Sequence, residues 1–196
     1  MINKQAARHA FSRAASTYDE SAVLQREIGT RMIERLDYIK LQPRTILDAG
    51  AGTGEATAAL MKRYPKAKVI ALDFALPMLR KARKRGSLMR RPATLCADIE
   101  QLPLATGSVD MVYSNAALQW CTDLEGTFRD LRRILRPGGL LMFSTFGPDT
   151  LKELRQAWSE VDRRPHVSPF TDMHDIGDMP VSYTHLTLPT IRRGGG

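Results

Sequence analysis

Thr45-Ile46-Leu47-Asp48-Ala49-Gly50-Ala51-Gly52-Thr53-Gly54 decides the fold. A short apolar run stops at three alternating glycines, and Glu55-Ala56-Thr57-Ala58-Ala59-Leu60-Met61-Lys62-Arg63 resumes with helix formers. The order is strand, turn, helix. Glycines carry no Cβ, so a ligand can come close to backbone N–H groups where the helix starts. The spacing is GxGxG, and the place where a dinucleotide fingerprint GxGxxG would put its last glycine is Glu55. A carboxylate there would repel a pyrophosphate, so a cofactor without phosphates suits the turn better.

Working outward, Lys68-Val69-Ile70-Ala71-Leu72-Asp73 reads as a second buried strand, followed by a helix over 77–85 with Pro77 in its first turn. A third strand is predicted over 93–97 and a fourth at Val109-Asp110-Met111-Val112-Tyr113-Ser114. A helix over 123–135 puts Leu124, Phe128, Leu131 and Leu135 on one face. The turn Arg136-Pro137-Gly138-Gly139 then leads into a fifth strand, Leu140-Leu141-Met142-Phe143-Ser144. Five strands alternating with helices imply an α/β fold: a doubly wound, mostly parallel, Rossmann-like sheet. Upstream, Val23, Leu24, Ile28, Met32, Ile33, Leu36 and Ile39 recur at helical steps, predicting a helix that ends near Lys40 and packs on the sheet domain. Downstream, residues 150–161 predict a helix carrying Leu151, Leu154 and Trp158.

At 196 residues, 43% hydrophobic and 26% charged, the chain suits one domain. No apolar stretch approaches the roughly 18 residues of a membrane span. Twenty-nine Lys and Arg against 21 Asp and Glu give +8, which favours an anionic partner without choosing one. Cys96 and Cys121 lack CxxC spacing or a neighbouring histidine, so no disulfide framework or metal site is expected and the chain reads as cytoplasmic. Lys4, Arg8 and Arg13 precede the first acid, Asp19, a weak likeness to a transit peptide with no secretory apolar core behind it. Residues 180–196 have no acid, no helical period and a glycine terminus, and resemble translated adaptor sequence. The organisation expected is a helical cap segment over 1–40, a cofactor-binding core over 41–146, a partial substrate region over 147–179 and a non-native tail over 180–196.

Two carboxylates narrow the cofactor. Asp73 ends the second strand 19 residues beyond Gly54, where it can accept from both ribose hydroxyls. Asp98 ends the third, placed for an adenine amino group, with Ile99 against the ring. Either aspartate alone also reads as a turn cap. S-adenosylmethionine combines a nucleoside with a cationic sulfonium and no phosphate. Ile46 to Gly54, Leu72-Asp73, Ala97-Asp98 and Leu135-Arg136-Pro137-Gly138-Gly139 together resemble the class I S-adenosylmethionine-dependent methyltransferases. That resemblance implies Gly50 and Gly52 at the methionine moiety, Asp73 at the ribose, Asp98 and Ile99 at the adenine. Asp48 would hold the turn or reach the methionine amine through water.

A narrower resemblance covers nearly everything up to residue 179. It runs through Ala14-Ala15-Ser16-Thr17-Tyr18-Asp19, Ser114-Asn115-Ala116-Ala117-Leu118-Gln119-Trp120-Cys121, Ser144-Thr145-Phe146-Gly147-Pro148-Asp149-Thr150-Leu151 and the stretch from His166 to Gly177. These are similar to the malonyl-[acyl-carrier-protein] O-methyltransferases of biotin synthesis, which implies methylation of the free carboxylate of a malonyl thioester borne on acyl carrier protein or coenzyme A. A carboxylate is already an anion at pH 7, so no strong general base is needed and none stands out. Tyr18 is the candidate for a substrate-side hydrogen bond, closing over the pocket; its plainer reading is a tyrosine packing the first helix. Asn115, on the cofactor side, and Gln119 and Trp120, on the substrate side, follow a strand's C-terminal edge, where an amide capping a helix is equally ordinary. His166 is expected to orient the substrate carboxylate, and His166 with His174 makes no metal site without further ligands.

Arg80, Lys81, Arg83, Lys84, Arg85, Arg90 and Arg91 form a run that reads as a solvated helix face or as a dock for an acidic carrier protein. The main alternative is a class I methyltransferase of another small acid or a quinone precursor. An RNA substrate is disfavoured: no aromatic-interleaved basic surface is visible, and Ser114-Asn115-Ala116-Ala117 lacks the Asn/Asp-Pro-Pro-aromatic sequence of amino-methylating enzymes. Glu55 disfavours a nicotinamide dehydrogenase, and a cofactor-binding module without catalysis stays open. The resemblance implies two further strands after the fifth, which 147–179 stop short of, so the activity of this fragment is a separate expectation from that of its parent.

Overall fold

Ile46, Leu47 and Ala49 are fully buried because β1 (Thr45–Ala49) runs through the middle of a sheet covered on both faces. The structure, a computed structural model, describes residues 3–87 and 90–146. The predicted helix over 150–161, His166, His174 and the proposed regions 147–179 and 180–196 lie outside the described residues. Three helices come first, α1 (Lys4–Ala14), α2 (Tyr18–Ser21) and α3 (Val23–Arg35), and α3 runs into a 3-10 turn, Leu36–Tyr38. After β1 come α4 (Glu55–Arg63), β2 (Lys68–Asp73), α5 (Leu76–Lys84), β3 (Ala93–Cys96), β4 (Val109–Asn115), α6 (Leu124–Ile134) and β5 (Leu135–Ser144).

The sheet order is β3-β2-β1-β4-β5, and every pairing is parallel. The order reverses between β1 and β4, where open α/β sheets leave a crevice at the strands' C-terminal ends. Register sets what meets there: Ala49 pairs with Leu72, Asp73 with Cys96 and Asn115 with Ser144. Under one face of the sheet, Met32 and Leu36 join Ile46, Leu60, Met61, Val69, Met111 and Tyr113 in one cluster, so α3 is fastened to the same core as α4.

Three details differ from the sequence reading. Val23 and Leu24 are 62% and 55% exposed, and the buried line runs through Ala22, Gly29, Met32 and Leu36. Gly29 explains the rotation: a Cβ there would lie 2.9 Å from Asn115 Nδ2, and its carbonyl accepts the Tyr113 hydroxyl at 3.1 Å. Leu135 belongs to β5, paired with Val109, so the buried face of α6 is Phe128, Leu131 and Ile134. The segment Arg136-Pro137-Gly138-Gly139 lies inside β5 as an irregularity, with Gly138 at φ +76° and the register resuming at Met111–Leu140.

Candidate active site

Gly50, Gly52 and Gly54 all have positive φ, at +81°, +54° and +83°, a conformation that strains other residues. Space adds a second requirement. A Cβ on Gly50 would overlap that of Ala117, and one on Gly54 would lie 2.6 Å from Ala82 Cα on α5. Four of the turn's N–H groups are already used: Gly50 and Ala51 donate to the Leu72 carbonyl at 2.9 and 2.8 Å, Gly52 to Asp73 Oδ2 at 2.9 Å and Gly54 to the Ala51 carbonyl at 2.9 Å. What the glycines offer a ligand is therefore a close, smooth approach rather than a cradle of free donors. Glu55 opens α4 and pairs with Arg26 Nε at 3.1 Å, which keeps a negative charge at the helix N-terminus.

Above the turn lies a cleft that opens to solvent. Its walls include Gly50, Gly52, Asp73, Asp98, Ile99 and Asn115, with Tyr18 and Trp120. Residues that close or follow β1, β2, β3 and β4 thus meet on one set of walls. Asp73 is only 6% exposed; its Oδ2 accepts from Gly52 N and its Oδ1 from Ala75 N at 2.8 Å. Burial raises its pKa against the lowering effect of these backbone donors, and each oxygen retains a second lone pair. Asp98 caps its turn through Glu100 N at 3.0 Å and pairs with Lys4 Nζ of α1 at 2.6 Å.

Two predicted residues stand elsewhere. Asp48 is 1% exposed behind the turn, where Thr57 Oγ1 donates to it at 2.5 Å. Gln119 is absent from the cleft walls: its Nε2 donates to the Ala116 carbonyl at 2.6 Å, and its Oε1 is buried without a partner. The cause is local, because the 3-10 turn Leu118–Trp120 folds the amide back on its own loop while Trp120 goes to the cleft. Asn115 does line the cleft, yet its amide is committed to scaffolding: Nδ2 donates to the Gln25 carbonyl at 2.8 Å, and Oδ1 accepts from Ser144 Oγ at 2.7 Å.

The opening segment supplies a wall that the sequence reading passed over. Lys4, Ala7 and Phe11 of α1 line the cleft, a 3-then-4 spacing that marks one helix face. The Phe11 ring lies 5.3 Å from Trp120, 5.9 Å from Phe74 and 6.1 Å from Tyr18, centre to centre, in tilted or edge-on contacts. Phe74 directly follows Asp73, the signal that could have found it. Burial, with the charges of Asp73 and Asp19, raises the Tyr18 pKa, so its hydroxyl keeps its proton and can donate. Tyr18 and Asn115 also border a second cleft between α3 and the glycine turn. Among the described residues no group of His, Cys, Asp or Glu gathers to hold a metal ion.

The family described as a methyltransferase domain matches residues 47–143, from inside β1 to inside β5. Over these residues the chain is similar to a methyltransferase domain. Among curated proteins it is 58% identical to the malonyl-[acyl-carrier protein] O-methyltransferase of Gallionella capsiferriformans (strain ES-2), over 92% of this chain and 64% of that protein. It is 54% identical to the protein of that name in Methylovorus sp. (strain MP688), over 91% of this chain and 62% of the relative. The chain thus spans a little under two thirds of these relatives' length. Among solved structures, a SAM-dependent methyltransferase from Thermotoga maritima superposes with a TM-score of 0.67 at 22% identity, covering 89% of this chain and 79% of that one. Among the described residues no helix is long and apolar enough to cross a membrane.

Proposed function

We propose that the chain binds S-adenosylmethionine in the Asp73 cleft and methylates the free carboxylate of a malonyl thioester on acyl carrier protein, an early step of biotin synthesis, in the cytoplasm. The observation that carries the cofactor reading is Asp73: a buried carboxylate on the cleft wall, oriented by two backbone donors and left with two lone pairs for a pair of ribose hydroxyls. The fit extends to the rest of the cleft. Gly50 and Gly52 admit the methionine moiety without Cβ obstruction, while Asp98 and Ile99 border the adenine end. The substrate reading is supported by the names of relatives 58% and 54% identical to this chain.

S-adenosylmethionine supplies an electrophilic methyl group on a cationic sulfur. An acceptor carboxylate already holds the electron pair that such a methyl group would require, so the residues of this cleft would have no proton to remove. The residues therefore act by alignment and by excluding water. Tyr18, protonated and set against Gly52, donates to the acceptor carboxylate. Trp120 and Phe11 exclude water on the aromatic side, and Asn115 fixes β4 to α3 and β5 beneath the reacting centre. His166 orients the acceptor.

Calorimetric titration with S-adenosylhomocysteine tests the first half. Saturable binding is expected, with affinity reduced at least about tenfold in Asp73→Ala, which removes two charge-assisted acceptors. A folded chain that shows no heat of binding would refute the cofactor. Methyl transfer to malonyl-carrier protein, compared with a free small acid, a quinone precursor and transfer RNA, tests the second half, and preference for any of the last three refutes the malonyl assignment.

A further inference from the structure

The corner between α1 and α3 that carries Tyr18 is tied down by three cations from outside it. Lys81 Nζ of α5 donates to the Ser16 carbonyl at 2.9 Å, and Arg26 of α3 donates to the Asp19 carbonyl. The third tie is the most specific. Asp19 Oδ2 accepts from Arg85 Nη2 at 2.7 Å, and Asp19 Oδ1 accepts from Thr53 Oγ1 at 2.5 Å. Arg85 Nε in turn donates to the Thr53 carbonyl at 2.9 Å. Thr53 is buried between Gly52 and Gly54, so a three-residue ring joins the cap, the glycine turn and the end of α5. Arg85 bonds the carbonyl and the carboxylate through two nitrogens of one rigid planar fork, a geometry that an ammonium does not reproduce.

We infer that Arg85 and Asp19 are positioning residues: their contact across Thr53 holds the Tyr18 corner, and with it the α1 wall, against the glycine turn, and so sets ligand affinity in the cleft. This rests on the cofactor reading proposed above. The wall at stake is four residues, Lys4, Ala7, Phe11 and Tyr18, all on the chain that Asp19 anchors. If breaking the contact leaves that wall in place in only one molecule in ten, apparent affinity falls by the same factor, because binding then selects a minority state.

The test measures two things on the 196-residue chain: the dissociation constant of S-adenosylhomocysteine, and hydrogen exchange of residues 4–21 without ligand. Asp19→Asn, isosteric and able to fold even if Arg85→Met does not, is expected to raise the dissociation constant about tenfold and to speed exchange of 4–21. Arg85→Met should do the same, the double variant little more than either alone, and Arg85→Lys should fall between it and wild type. Arg80→Met, an exposed charge on the same helix, should change neither. Additive single effects, an equal effect of Arg80→Met, or faster exchange with unchanged affinity would overturn the positioning role. A wild-type chain that binds no S-adenosylhomocysteine refutes the cofactor reading instead, and unchanged exchange in Asp19→Asn then sinks the contact on its own.

Discussion

Asp48 shows how a motif residue can be legible in position and hidden in chemistry. It is the penultimate residue of β1, two before Gly50, as the sequence indicates, but burial and the nearby Asp73 charge push its pKa from 3.8 up to about 7, against the lowering effect of Thr57. A carboxyl raised in the folded state holds a proton that the unfolded chain has already lost. Between about pH 4 and pH 7 the native state therefore binds more protons, and stability falls as pH rises, by at most roughly 1.4 kcal/mol per pH unit from this group. Asp48→Asn keeps an acceptor for Thr57 Oγ1 without the charge. Urea unfolding at pH 5 and pH 8 should show a smaller loss of stability in the variant than in wild type; equal losses would mean Asp48 does not titrate in this window. Asp73 is legible from its position at the end of β2, since register carries it to the crevice, and Asp98 follows β3 by two residues to the same wall. Gln119 is not legible, because its placement depends on how a 3-10 turn folds an amide back, which residue type does not disclose.

At the scale of elements, the turn and two helices form one interlocked unit. Gly54 lies against Ala82 of α5, so Gly54→Ala meets backbone as well as an unfavourable φ of +83°. Gly107 is a matched contrast: φ is +60°, with nothing within 4 Å of a new Cβ. Gly107→Ala should cost only the backbone term, about 1 kcal/mol, and Gly54→Ala about 2–4 kcal/mol. Midpoints of urea unfolding for the two variants check this, and similar shifts would mean the α4–α5 approach relaxes freely. Which glycine is sterically enclosed could not be read from GxGxG, since the enclosing residue, Ala82, is 28 positions away and polar patterning does not mark it. The same limit applies to α1 and α3. A helical period identifies the helix, but which stripe is buried depends on its neighbour, and Gly29 lets α3 approach β4 on a face that Val23 and Leu24 do not share. The central strands β1, β2 and β4 behave differently because both of their faces are covered, so an apolar run suffices to find them.

The charge of the whole molecule is shaped by the same packing. Of the seven basic residues from Arg80 to Arg91, three have inward tasks: Lys81 holds Ser16, Arg85 holds Thr53 and Asp19, and Arg90 donates to the carbonyls of Met61, Tyr64 and Ala67. Arg80, Arg83, Lys84 and Arg91 are left at or near the surface. A solvated face and a dock for an acidic carrier protein differ in what salt and substrate do to them. Charge reversal of Arg83 and Lys84 to Glu removes four units of charge from the exposed face and leaves the three inward ties intact. If the face steers the carrier, kcat/KM for the carrier-bound malonyl thioester should fall about tenfold or more at low ionic strength and converge with wild type in high salt, because exposed charges act through a screened field. A small malonyl thioester, which needs no such encounter, should be turned over as before. Equal losses on both substrates would place the effect in the cofactor cleft behind α5 and return the basic face to ordinary solvation.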